Sequence, residues 1–118
     1  MENIKELLPD FIAEITTSLI SMGYGDLADQ LQELEFDSWT YDTEADAMYL
    51  YLSGQRQLNI IEQNVIGIRH GKSIEIENID GMVVIDTDNF NRLQGIEILW
   101  RKDIAEKLKK ICLPNEST

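Results

Sequence analysis

Residues 41–52 read Tyr41-Asp42-Thr43-Glu44-Ala45-Asp46-Ala47-Met48-Tyr49-Leu50-Tyr51-Leu52. The second half alternates aliphatic and aromatic residues, the pattern of a half-buried strand. The Asp42–Asp46 stretch ahead of it is polar and reads as a turn. On its other side, Phe36 to Tyr41 is a strand candidate with Trp39 and Tyr41 on one face. The period is therefore two on both sides of the turn, and the local prediction is an antiparallel hairpin.

Upstream the period is helical. Ile4, Leu7, Leu8, Phe11, Ile12, Ile15, Leu19 and Ile20 recur at three- and four-residue steps, which builds one apolar stripe. Pro9 lacks an amide donor and disfavours helix at Leu8, so the helix either kinks there or starts at Pro9. Gly23 is expected to end it as a left-handed cap, and Asp26 to cap a second helix with Leu27, Ala28, Leu31 and Leu34 on its buried face.

Downstream, His70-Gly71 between Asn64–Arg69 and Lys72–Asn78 is expected to be a two-residue hairpin turn, and Ser53–Asn59 a loop. Asp80-Gly81 marks the next turn. Met82–Asp86 and Leu93–Leu99 flank a longer loop, Asp88–Arg92, rich in residues that tolerate left-handed backbone. A final helix has Ile104, Leu108 and Ile111 on its apolar edge and Lys107, Lys109 and Lys110 near its negative end. The expected fold class is α+β, in one domain spanning residues 1–118. A helical hairpin occupies 1–35, an antiparallel β-meander 36–99, a C-terminal helix 100–113 and a loose tail 114–118.

The chain has 118 residues and a formal charge of −12. Residues 1–55 carry twelve acids and one base, Lys5, whereas residues 101–118 carry three acids and five bases. Such a field repels phosphate backbones and anionic lipid, so neither direct nucleic-acid binding nor a membrane partner is expected. It favours a basic protein partner and speeds encounter with one. Cys112 is the single cysteine, which excludes an internal disulfide and a multi-cysteine metal site. With one thiol, no export signal and no long apolar run, a cytoplasmic location is expected.

Two stretches resemble a small bacterial domain of unknown function. Residues 41–52 resemble its opening YDxEADxLYIxL. Gly81-Met82-Val83-Val84-Ile85-Asp86-Thr87-Asp88, followed by Gly95-Ile96-Glu97-Ile98-Leu99, resembles its closing GVxVDxDxDGxxxGIEIL. The resemblance spans residues 41–99 and implies an antiparallel sheet with no established activity. The chain departs from that pattern by an insertion around residues 54–68, by Asn89-Phe90-Asn91 in place of the turn glycine, and by the flanking helices.

Asp42-x-Glu44-x-Asp46 looks like half a calcium loop, but Ala47 stands where a sharp-turn glycine is needed and Ser53 where a bidentate glutamate is needed. It reads as a solvated turn in which aspartates cap backbone amides. Asp86-x-Asp88-Asn89-x-Asn91 reads likewise as a hairpin tip. His70 has no partner group placed beside it by any motif. No catalytic residue, metal or cofactor is therefore expected. Tyr49 and Tyr51 share a sheet face that either packs under a helix or forms an exposed binding surface. The expected function is an acidic inhibitor of the antidote or immunity type, occluding a basic toxin such as a nuclease. Asp26, Asp29, Glu33, Glu35, Asp37, Asp42, Glu44 and Asp46 would bind the partner, with Trp39 as aromatic anchor. The alternative is a self-associating module, a homodimer through the tyrosine face.

Overall fold

The computed structural model describes residues 2–53, 67 and 69–115. Pro9 divides the first helical run as its chemistry requires. α1 spans Ile4–Leu7 and α2 spans Pro9–Ser21, with Leu8 between them at φ −131°. Proline at the first position of α2 loses no helical hydrogen bond there. Gly23, at φ +90°, closes α2, and α3 follows over Gly25–Leu31. Tyr24, not Asp26, occupies the N-cap of α3, and no side chain caps that end. The Asp26 carboxylate instead accepts a hydrogen bond from the Asn91 amide in a distant hairpin.

The strands are β1 Glu35–Asp42, β2 Ala47–Ser53, β3 His70–Glu75, β4 Met82–Asp88 and β5 Leu93–Leu99. All their pairings are antiparallel, in the order β1-β2-β5-β4-β3. The α+β class holds, but the meander is corrected. The chain leaves β2 for the far edge, and β5 returns between β2 and β4. That central place suits Leu93, Ile96 and Ile98, which are buried, in a strand without proline. Ser53, expected to open a loop, instead ends β2. The rest of that loop, most of the expected Asn64–Arg69 strand and most of the insertion around 54–68 lie outside the described residues.

His70-Gly71 is a second correction, because both residues lie inside β3. The register shifts between His70 and Ser73, so the stretch is an irregularity at the start of a strand and not a reversal. Gly71 is needed there for closeness. A Cβ at this position would lie 2.0 Å from the Asp88 carbonyl oxygen. Gly71→Val is expected to destabilise the fold by about 1–3 kcal/mol in urea denaturation. Gly25→Ala, which meets nothing within 4 Å, should stay within about 0.5 kcal/mol. A neutral Gly71→Val would show that β3 does not close on Asp88.

The last helix, α4, spans Lys102–Ile111 and buries Ile104, Ala105 and Leu108. Ile111, expected on the apolar edge, is exposed. The buried residues of α1–α4 join those of the strands in one hydrophobic cluster containing Trp39, Leu50, Ile85, Ile96 and Ile98. The helices thus cover one face of the sheet. Two remote segments line the outer edge of β1. Glu2–Ile4 bonds to its start, through Phe36 N–H to the Glu2 carbonyl at 2.9 Å and Ile4 N–H to the Leu34 carbonyl at 3.0 Å. Asn115 N–H donates to the Trp39 carbonyl at 2.7 Å. The expected loose tail is therefore held at Asn115, and residues 116–118 lie outside the described set.

Candidate interaction surface

The acidic residues singled out by the sequence fall into two groups. Asp26, Asp29, Glu33 and Asp37 are exposed and Glu35 is half-buried where α3 leads into β1. Exposed Asp42 and Glu44 and half-buried Asp46 form the β1–β2 turn. Seven strand steps separate Glu35 from Asp42, roughly 24 Å of extended chain. The structure does not gather them into one patch. Trp39, expected as a surface anchor, is fully buried, and its indole N–H donates to the Cys112 carbonyl at 3.2 Å. Its place on the helix-covered face follows from sheet parity: it pairs with Leu50, which is also buried.

In the β1–β2 turn, Asp42 Oδ1 accepts from the Glu44 and Ala45 amides at 3.0 and 3.3 Å. Tyr41 OH donates to Asp46 Oδ1 at 2.8 Å. Desolvation and this carboxylate raise the Tyr41 phenol above its ordinary pKa. Both aspartates thus organise the turn itself. Among the described residues no three His, Cys, Asp or Glu side chains converge as a metal site.

The sheet face opposite the helices carries a different constellation. Strand parity places Tyr49 and Tyr51 there, opposite buried Met48, Leu50 and Leu52. Their ring centroids are 4.8 Å apart, and Tyr51 is 44% exposed. Tyr49 leans across β5 over Gly95, and its OH donates to Asp86 Oδ2 on β4 at 2.8 Å. Ser73 Oγ on β3 donates to Asp86 Oδ1 at 2.7 Å and lies 3.4 Å from His70 Nε2. One hydrogen-bonded line therefore crosses from β2 to β3. Burial first, and then the Asp86 carboxylate, hold the Tyr49 phenol well above the usual tyrosine range.

Gly95 makes that crossing possible. A Cβ there would lie 2.5 Å from Tyr49 Cε1. Gly95→Ala is expected to displace the ring and cost about 1–3 kcal/mol. It should also return the Tyr49 titration towards the ordinary tyrosine value of about 10, read by alkaline ultraviolet titration. An unchanged titration would mean that the ring does not rest on Gly95. The sign for pH follows from the raised folded pKa: the associated stability is complete below about pH 10 and declines above it, as the unfolded chain ionises first.

Among the described residues, the charged side chains that strand parity places on this face are all acidic. Glu75 and Glu97 are exposed beside Asp86, with half-buried Val84 between them and half-buried Met82 and Leu99 in the next row. Lys72 is the only Lys or Arg in the five strands. Its Nζ sits 5.8 Å from the Tyr24 ring, whose residue packs against the helix-side core. Asp86, expected at a hairpin tip, lies inside β4 and bonds Tyr49 and Ser73, whereas Ser73 and Gly95 have no place in the expected site. A glycine inside an apolar strand was the available signal for a close approach.

A helix-backed antiparallel sheet whose other face, among the described residues, is acidic and tyrosine-bearing defines the class. The model of the family described as "Protein of unknown function (DUF2283)" matches residues 39–101. The chain belongs to that family. Tyr49, Ser73, Asp86 and Gly95 all lie inside the matched stretch, whereas α1–α3 lie outside it. No curated protein and no solved structure matches the chain. Among the described residues, no helix is long and apolar enough to cross a membrane.

Proposed function

We propose that the protein is a non-enzymatic binding module that engages a basic protein partner through the helix-free face of its sheet. The observation that carries this reading is the composition of that face: Tyr49, Tyr51 and Val84 stand among Asp86, Glu75 and Glu97, and no strand cation lies among them. Tyrosine supplies contact area at low entropy cost, and the carboxylates supply attraction and orientation. A partner of this kind, held against the face, has its own positive groove covered. The biological form of the proposal is an antidote or immunity protein that occludes a basic toxin, for which nucleases are the natural class. The Asp42–Asp46 turn borders the face at one end. Asp26, Asp29, Glu33, Glu35 and Asp37 add long-range attraction from the other end.

Self-association through the same face would set its carboxylates against their own copies, which opposes a homodimer. The test places a photo-crosslinking amino acid at Tyr51 and, as a control, at exposed Thr17 on α2. The expected result is one basic protein captured from position 51 alone, whose activity falls on titration with the purified chain. Capture of an acidic protein, of a second copy, or of the same protein equally from position 17 would refute the reading.

A further inference from the structure

We propose that Trp100 and the neighbouring β1–β2 turn form a docking point for an arginine side chain of the partner. This rests on the reading above and deepens it. Trp100 has φ +63°, a left-handed conformation that bulky L residues rarely adopt and that glycine accepts freely. The indole gains little burial in return, because Trp100 is 61% exposed. Nor does it fix the junction between β5 and α4. That is done by the backbone, through Trp100 N–H to the Asp46 carbonyl at 2.8 Å. The next residue, Arg101, adds two hydrogen bonds to Asp103, one to the Asp80 carbonyl at 3.1 Å and a stack over Phe11. Among the described residues the indole takes part in no hydrogen bond, ring pair or cation–ring contact. A strained, exposed tryptophan without a structural role points to an outside contact.

The surroundings select the chemistry of that contact. The bond to Asp46 ties the Trp100 backbone to the turn that carries exposed Asp42 and Glu44. Of the cations close by, Arg101 is paired with Asp103 at 3.0 Å, Lys109 Nζ lies 5.0 Å from the Tyr41 ring, and Lys102 is exposed on α4. Asp103 is correspondingly held below its ordinary pKa by Arg101. An exposed indole on a residue bonded to an acidic turn suits a cation that can reach both. Arginine fits better than lysine, since its planar guanidinium stacks on the ring while its edge donates to carboxylate. Leu99 connects the point to the helix-free face, so one partner can occupy both.

The experiment uses the full chain, labelled with 15N, and two probes of equal charge, tetra-arginine and tetra-lysine. The exposed Trp100 indole N–H is expected to shift saturably with tetra-arginine, while that of buried Trp39 stays still. Tetra-lysine should bind about tenfold more weakly. Trp100→Gly should weaken tetra-arginine binding about tenfold and leave the thermal midpoint unchanged or higher. Equal affinity for the two peptides, or full affinity in Trp100→Gly, would overturn the docking point. So would a fall of several degrees in the midpoint of Trp100→Gly, which would give the indole a structural role. These failures are distinguishable from failure of the broader reading. A partner still captured at Tyr51, and bound at full strength by Trp100→Gly, removes the docking point and leaves the sheet face standing.

Discussion

Trp39→Ala is expected to destabilise the protein by about 3–5 kcal/mol, the range for truncating a buried aromatic. The side chain is fully buried, and its ring lies 5.9 Å from that of Tyr41. The substitution removes more than volume. The indole N–H bonds the Cys112 carbonyl just beyond α4, and the Trp39 carbonyl receives Asn115 N–H. Truncation therefore opens a cavity under the helices and loosens the strap along β1. Trp39→Phe keeps most of the volume and loses the N–H donor, so a smaller cost of about 1–2 kcal/mol is expected. Urea denaturation followed by circular dichroism separates the two. A Trp39→Ala variant with wild-type stability and impaired partner binding would restore Trp39 as an interface anchor and contradict its burial.

Asp88→Ala should be nearly as damaging. Asp88 is only 4% exposed, yet it carries a carboxylate at the tip of the β4–β5 hairpin. Oδ1 accepts from the Phe90 and Arg92 amides at 2.8 and 2.9 Å, and Oδ2 accepts from Arg92 Nε at 2.7 Å. Removing it strands two backbone donors and one guanidinium. The expected cost is about 3 kcal/mol, at the low end for a buried ion pair because 29% of the Arg92 side chain remains exposed to water. Asp86→Asn retains an acceptor on the open face and should cost about 1 kcal/mol or less. Equal losses at the two positions would mean that the hairpin tip is not organised by Asp88.

Much of this fold is legible because its signals are local. Pro9 fixes where α2 starts, Gly23 fixes where it stops, and the alternation from Leu93 to Leu99 marks β5 to the residue. The readings that failed depend on partners remote in sequence. A histidine and a glycine between polar residues look like a turn. Only the approach of Asp88 shows that Gly71 is small so that two strands can close. Alternation tells that Trp39 and Tyr41 share a face and that Tyr49 and Tyr51 share one. The β1–β2 register is needed to show that the two faces are opposite and which of them the helices cover. The line from Tyr49 through Asp86 to Ser73 spans four strands whose order is itself non-local. The acidic half of the chain was visible as composition, yet the roughly 24 Å of strand between Glu35 and Asp42 is a property of strand geometry.

The lining of β1 by Glu2–Ile4 and Asn115 bears on how the molecule behaves among its own kind. An outer strand with free amides is a template onto which further chains can add. Here the protein uses two scraps of its own length as a selvedge, stitching the rim at both ends of one strand. Trimming Asn115 would leave the core residues in place and yet unpick that border, and trimming Glu2–Ile4 would take buried Ile4 as well. A shortened version is then expected to grow by accretion along that rim.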